Sequence, residues 1–499
     1  ATSIQGRARG PPDSSSTRYP PVIELIDRKT IGEAHPAVNR PTPLHFRRCG
    51  PTLHHVRDLA VASRTEMSET KTIKLSYGRE EVPLRVPKSA TILSSPGSTP
   101  HPHPADAVRA ALRNPIGSAT LREVVGTPRS IAITISDGTR AVPNDVFLPV
   151  LLEELAAAGV ADERIVIIVG TGMHRPSTEA EKLSLVGAEV RGRIEVIDHR
   201  ADDASQLVDI EGDLPVRINR RFAEADVRIV TGFIEPHFMA GYSGGRKGVC
   251  PALVDLGTIQ SFHGYQTLSS PRARAGVLAG NPCHDIALKV ARRVGVDFLL
   301  NVTTSADHRI AEVFCGDLEL AHQAGCRAVD RAAAVRIDEP FDLVVTTGGG
   351  APLDQNFYQT VKGIVMAAPA VRTPGGVLAV LSHCSDGLGS DEYADIVLRY
   401  GRDCDRYLSD LAARPDRTEK DQWEHQLHCR VAEELGIANL LLATDGIPPD
   451  IQRVMALSPI LGKGAAPERL QVAVDRYLDE HPEARVAVVP RGPYTMIER

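Results

Sequence analysis

Several common features are missing from this chain of 499 residues. Aromatic residues make up only 4%, and the single tryptophan stands at position 423. No window holds the roughly 18 uninterrupted apolar residues that a membrane helix needs, and the longest apolar runs are strand-sized, so an integral membrane protein is excluded. The eight cysteines form no CxxC pair and no disulfide-framework spacing, which points to a reducing, cytoplasmic setting. Basic residues are not in excess: Lys and Arg number 57 against 63 Asp and Glu, a net charge of −6. A general nucleic-acid binder would be basic, so that class is set aside. The common nucleotide motifs are also absent. There is no GxxxxGK[ST], and Gly170-Thr171-Gly172 lacks the third glycine of a dinucleotide fingerprint because Arg175 stands in its place.

What is present reads as an ordinary soluble globular protein, 42% apolar and 24% charged. At about 150 residues per domain its length allows three folding units or two larger ones. Residues 1–66 hold 8 of the 36 prolines and carry ten Lys and Arg against six Asp and Glu, the composition of a disordered extension, with Met67 a candidate native start. Residues 72–87 read as a hairpin. A Pro/Ser-rich link follows, whose His101-Pro102-His103-Pro104 is better read as linker than as a metal tract. Short β-branched runs then alternate with helical periods, which predicts βαβ units. Strands are expected at 130–135, 164–169, 193–197, 227–231 and 297–302. Helices are expected over 284–294 and from near Leu148 to Gly159, with Pro149 in the first turn, or with a kink there if the helix begins earlier. A second series of strands is expected at 341–346, 376–381, 438–444, 454–457 and 485–489. Two domains, 67–337 and 338–499, follow from this pattern.

Ligands of open parallel sheets gather where strands exit, because loops and helix N-termini converge there. The exits carry Asp137-Gly138-Thr139-Arg140, then Gly172-Met173-His174-Arg175-Pro176, then Glu235-Pro236-His237. The last continues into Ser243-Gly244-Gly245-Arg246-Lys247-Gly248, a glycine loop with two cations at its end, suited to a phosphate or to a covalent partner. His263 follows sixteen positions after Lys247, and spacing alone leaves it open between a structural and a ligand role. In the second half, Gln359 and Lys362 lie at i, i+3 on an expected helix that also bears Tyr358, where a solvated face is the plainer reading. Trp423 sits among polar residues in Asp421-Gln422-Trp423-Glu424-His425, as a ligand-facing ring would.

These six stretches, in this order, resemble the nickel-dependent lactate racemase family, over about residue 67 to the C-terminus. The resemblance implies two Rossmann-like α/β domains with parallel-rich sheets and an active-site crevice between them. It implies a nickel-pincer nucleotide attached covalently at Lys247, with His263 as the protein ligand of nickel, a planar donor set that suits Ni(II). Asp137, Gly138, Thr139, Arg140 and Trp423 would line this cofactor. His174 and His237 would be the catalytic acid/base pair, and Arg140, Tyr358, Gln359 and Lys362 would hold the substrate. Cofactor-biosynthesis and nickel-insertion proteins are the implied partners.

The expected reaction is racemisation or 2-epimerisation of a small 2-hydroxy acid, lactate or a relative. The Cα proton of such an acid is very weakly acidic beside a carboxylate, so reversible hydride transfer to the cofactor is the expected route. One histidine per hydroxyl orientation would take or return the hydroxyl proton. Two further readings stay open. One is a zinc-type metallohydrolase using His174, His237 and His263, although no HExxH-like spacing supports it. The other is a non-catalytic nickel- or nucleotide-binding protein.

Overall fold

Alternating apolar residues with both faces covered build two parallel-rich sheets. A computed structural model describes residues 69–499 apart from 213, 214 and 416. The expected extension over 1–66, with Met67, lies outside the described residues. In the first sheet the strands run, edge to edge, Ile310–Gly316, Phe298–Thr304, Val227–Phe233, Ile131–Ser136, Ile165–Gly170 and Glu195–Asp198. All neighbours are parallel except the antiparallel edge pair Phe298–Thr304 with Ile310–Gly316. The second sheet is wholly parallel, in the order Ser458–Pro459, Leu440–Ala443, Val377–Leu381, Leu343–Thr347, Val486–Val489 and Thr91–Ile92.

The period of two decides which side chain goes where. Ile131, Ile133 and Ile135 face one core with Phe147, Leu148 and Leu151 of the helix Asn144–Ala157. Ala132, Val166, Ile168 and Val230 face the other way, into an apolar cluster that continues unbroken to Val344, Leu378 and Val380 of the second sheet. The hairpin Thr70–Tyr77 with Glu80–Pro87 covers the second sheet's other face, where Leu75, Leu84 and Val86 meet Leu343, Val345 and Val488. Its turn also braces the site from below: Gly78 donates to Asp354 at 2.7 Å and accepts from the Ala351 amide at 2.7 Å.

Most expected strands form within a residue or two of their predicted ends, and two local expectations need correction. The helix expected from Leu148 begins at Asn144, which puts Pro149 inside it rather than in its first turn. Phe147 and Leu148 are both fully buried ahead of the proline, which removes one backbone bond from the helix. The strand expected at 454–457 is displaced. Pro449 opens a short helix, Pro449–Val454, and the strand is Ser458–Pro459.

Candidate active site

Three neighbouring strands of the first sheet end side by side, so their exits share one crevice. Asp137 follows Ile131–Ser136, His174 lies beyond Ile165–Gly170, and Glu235 and His237 follow Val227–Phe233. His174 is exposed and its Nδ1 lies 2.6 Å from Asp137 Oδ2. The Asp137 Oδ1 accepts from the Thr139 hydroxyl at 2.6 Å and amide at 3.3 Å. Burial works against the Asp137 charge, but His174, Thr139 and Arg140 together hold its carboxyl below the usual range. Arg140 pairs with Glu235 at 2.5 Å. His237 is buried, stacks on Phe238 and accepts at Nδ1 from the amides of Met239 and Ala240. Burial pushes its pKa well below the ordinary 6.5, and the cations Lys247, Arg140, Lys362 and Arg246 add to the shift.

The glycine loop is folded tightly against the sheet. Gly244 has φ +71°, and a Cβ there would lie 2.6 Å from Asn301 Oδ1 and 2.9 Å from the Phe233 carbonyl, so only glycine fits. The turn presents Lys247 over the ring of Phe262, at 4.9 Å. Desolvation, with Arg140 and Arg246 nearby, brings the Lys247 pKa down to about 7, so much of the amine is neutral and nucleophilic near neutrality. Arg246 is fully buried and has no carboxylate partner among the described residues. It donates to the Ala240 carbonyl and to His322, and its Nε has no partner. Asp255 caps the helix Leu256–Phe262, and His263 closes it. The His263 Nδ1 donates to the Ile259 carbonyl at 3.0 Å, which also accepts the His263 amide, so Nε2 keeps its lone pair. Burial brings the His263 pKa down to about 3, and the ring stays neutral.

The second sheet supplies the opposite wall. Asn356 caps Phe357–Ala367 by accepting from the Gln359 amide, which orients Tyr358, Gln359 and Lys362. Lys362 donates to Gln359 Oε1 at 2.5 Å and lies 5.9 Å from the Phe238 ring. The face shared by Gln359 and Lys362 is therefore turned into the crevice and not into bulk solvent. Trp423, buried at the start of Gln422–Leu435, stacks on His263 at 4.5 Å and donates to the Tyr358 hydroxyl at 2.9 Å. A continuous run of contacts thus joins Lys247, Phe262, His263, Trp423 and Tyr358. Nearby, Lys247, Arg140 and Lys362 act on His237, Arg140 pairs with Glu235, His174 with Asp137 and Lys362 with Gln359, and Gly138 lies in the Asp137 turn.

Three residues found here had no expected role. Glu235 holds Arg140. Phe238 stacks on His237 and lies 5.9 Å from the Lys362 ammonium. Glu424 is buried beside Lys362 with Oε2 unpartnered, and burial raises its carboxyl to about 8. Glu235 opens the Glu235-Pro236-His237 motif, and Phe238 and Glu424 each directly follow a motif residue, which was the available signal. Among the described residues no group of three or more His, Cys, Asp and Glu side chains could hold a metal ion. The zinc reading of His174, His237 and His263 therefore lacks a ligand cluster. An anionic group that brings most of its own metal ligands fits better: His263 offers one free nitrogen, Arg246 an unpartnered Nε and Lys247 a neutral amine.

Burial also sets an acid limit on the fold. Seven histidines, 199, 237, 263, 284, 322, 425 and 428, are held below 6.5 in the folded protein, chiefly by desolvation. Between their folded values, about 4 for His199 and His428, and the ordinary 6.5, the unfolded chain binds more protons, so stability rises with pH. Four carboxyls held high, Asp330, Asp421, Glu424 and Glu433, act with the opposite sign but are outnumbered. The unfolding temperature is accordingly expected to fall steadily as pH drops from 6.5 towards 4. Circular dichroism melts across that range check this, and a flat profile would contradict it.

Two family models match the chain: the lactate racemase N-terminal domain over residues 77–276 and the lactate racemase C-terminal domain over 337–497. The lactate racemase of Thermoanaerobacterium thermosaccharolyticum is 32% identical over 429 residues, covering 84% of this chain and 97% of that protein. The lactate racemase of Lactiplantibacillus plantarum is 36% identical over 396 residues, covering 78% and 89%. The structure of the T. thermosaccharolyticum lactate racemase apoprotein superposes with a TM-score of 0.78 at 30% identity, over 86% of this chain and all of that one. A Thermotoga maritima protein shares the fold, with a TM-score of 0.60 at 19% identity. The chain belongs to the lactate racemase family and is, as a member of it, an isomerase.

Proposed function

We propose that this protein racemises or epimerises a small 2-hydroxy acid, lactate first among the candidates, with a nickel-pincer nucleotide attached at Lys247. The single observation that carries the reading is the run of contacts from Lys247 through Phe262 and His263 to Trp423. It sets a nucleophilic amine, a free imidazole nitrogen and a flat aromatic ring around one space. The cofactor, when bound, supplies reversible hydride acceptance. Lys247 would hold it covalently, His263 Nε2 would ligate nickel, and Trp423 would cover it.

The remaining residues handle the substrate. Arg140 and Lys362 neutralise its carboxylate, Arg140 by exchanging Glu235 for the incoming acid. Gln359 orients the Lys362 ammonium, and Tyr358, bonded to Trp423, fixes the wall behind it. His174 Nε2 takes up or returns the hydroxyl proton on one side, and His237 serves the other hydroxyl orientation. Closure of the two α/β domains, 67–337 and 338–499, over the substrate would exclude water. The protein would work in the cytoplasm, after separate biosynthetic and nickel-inserting proteins have made its cofactor.

The test is to coexpress the protein with a nickel-pincer pathway and incubate it with enantiopure lactate, then with larger and dicarboxylic 2-hydroxy acids. Interconversion to an equimolar mixture of one such acid is expected. No interconversion of any of them, with a control racemase active from the same pathway, would overturn the reading.

A further inference from the structure

His174 and His237 carry the same ring but opposite partners at Nδ1. The Nδ1 of His174 faces Asp137 Oδ2 at 2.6 Å, and a carboxylate that is ionised only accepts. That nitrogen therefore bears a proton, and in the neutral ring the lone pair is left on Nε2. The Nδ1 of His237 receives the amides of Met239 at 3.3 Å and Ala240 at 3.2 Å, and a backbone amide only donates. Here Nδ1 is bare, and in the neutral ring the proton sits on Nε2. Burial and four nearby cations keep that ring neutral.

We propose that Asp137 and the amides of Met239 and Ala240 are positioning groups that fix opposite tautomers, so that His174 rests as a proton acceptor and His237 as a hydrogen-bond donor. The catalytic meaning rests on the racemase reading above; the tautomers themselves do not. A hydroxyl facing His174 gives its proton to Nε2, and the resulting imidazolium keeps its Nδ1 proton on Asp137. A hydroxyl facing His237 meets an N–H. For His237 to accept there, Nδ1 must first gain a proton and Nε2 lose one, which breaks the contacts with Met239 and Ala240. The two substrate enantiomers therefore meet unlike partners in the resting site, and Asp137 is a positioning residue rather than only part of the cofactor lining.

The Asp137→Asn variant gives a sharp test because Thr139 fixes which atom goes where. The Thr139 amide, which can only donate, holds an oxygen at the Oδ1 position. The new NH2 group must then turn towards His174 and donate to Nδ1, which moves the ring proton to Nε2. The measurement is a long-range 1H–15N correlation on protein labelled with 15N-histidine, without cofactor or substrate, near pH 7. His174→Gln and His237→Gln variants assign the two rings. The expected wild-type spectrum shows a protonated Nδ1 in His174 and a protonated Nε2 in His237. In Asp137→Asn the His174 pattern inverts while that of His237 stays, and racemisation by the loaded variant is lost. The same tautomer in both wild-type rings, or a His174 pattern unmoved by Asp137→Asn, would overturn the proposal. Because the nitrogen signals are read on the empty protein, a negative racemisation assay leaves them decisive. Matching tautomers in the two wild-type rings would overturn the proposal while leaving the racemase reading to its own assay.

Discussion

Lys247→Ala is expected to abolish the covalent adduct, the nickel content and all racemisation while leaving the protein folded. The substitution removes the amine and the three methylenes that carry it, and leaves the loop backbone untouched. The Gly245–Gly248 turn is held by backbone bonds, among them the Lys247 amide to the Gly244 carbonyl at 3.1 Å, and these do not involve the side chain. What is lost is a nitrogen whose pKa, about 7 through desolvation and two flanking guanidinium groups, leaves it neutral enough to attack an activated carboxyl or thiocarboxyl. Lys247→Arg separates charge from nucleophilicity. It keeps a cation over Phe262 but one that stays protonated, so it too is expected to carry no adduct. Intact mass and metal analysis on protein coexpressed with the cofactor pathway read the result directly. An adduct retained by Lys247→Ala would move the attachment point elsewhere and undo the assignment of this loop, whereas a wild type that carries one nickel and one adduct per chain would support it.

How much of this was visible in the sequence depends on how local the cause is. The exits bearing Asp137, His174 and His237 could be read because each follows a run of β-branched residues, and a parallel sheet collects such exits at one edge. Their adjacency could not be read, since it depends on Val227–Phe233 pairing with Ile131–Ser136 across nearly a hundred positions. The same limit hides the pairing of Thr91–Ile92 with Val486–Val489, which ties the first described strands to the last sheet. Pro149 misled because a helix boundary was inferred from one breaker, while the packing of Phe147 and Leu148 decided it. Glu424 looked like any acidic residue in a first helical turn. Only its burial beside Lys362 sets it apart. The opposite settings of His174 and His237 also lay beyond the sequence, because a backbone amide that fixes a tautomer leaves no residue to recognise.

Glutamine in place of His237 is expected to cost on the order of 10^2–10^4-fold in racemisation, the usual size of a general acid–base contribution. Glutamine keeps a polar side chain that reaches the Nε2 position but cannot exchange a proton there. Thermodynamics sharpens this result. The two enantiomers of lactate have equal free energy, so the equilibrium constant is 1 and kcat/KM must be equal in the two directions for any variant. His237 serves only one hydroxyl orientation, yet its loss must lower both directions by the same factor, because every complete turnover passes through both orientations. Asymmetry can appear only in kcat and KM separately. Following both enantiomers by chiral chromatography from each pure starting acid checks the size of the fall and its equality. Full activity in His237→Gln would remove His237 from the reaction. A persistent inequality in kcat/KM would mean that the chemistry followed is not a racemisation, since no racemase can favour one of two mirror-image acids.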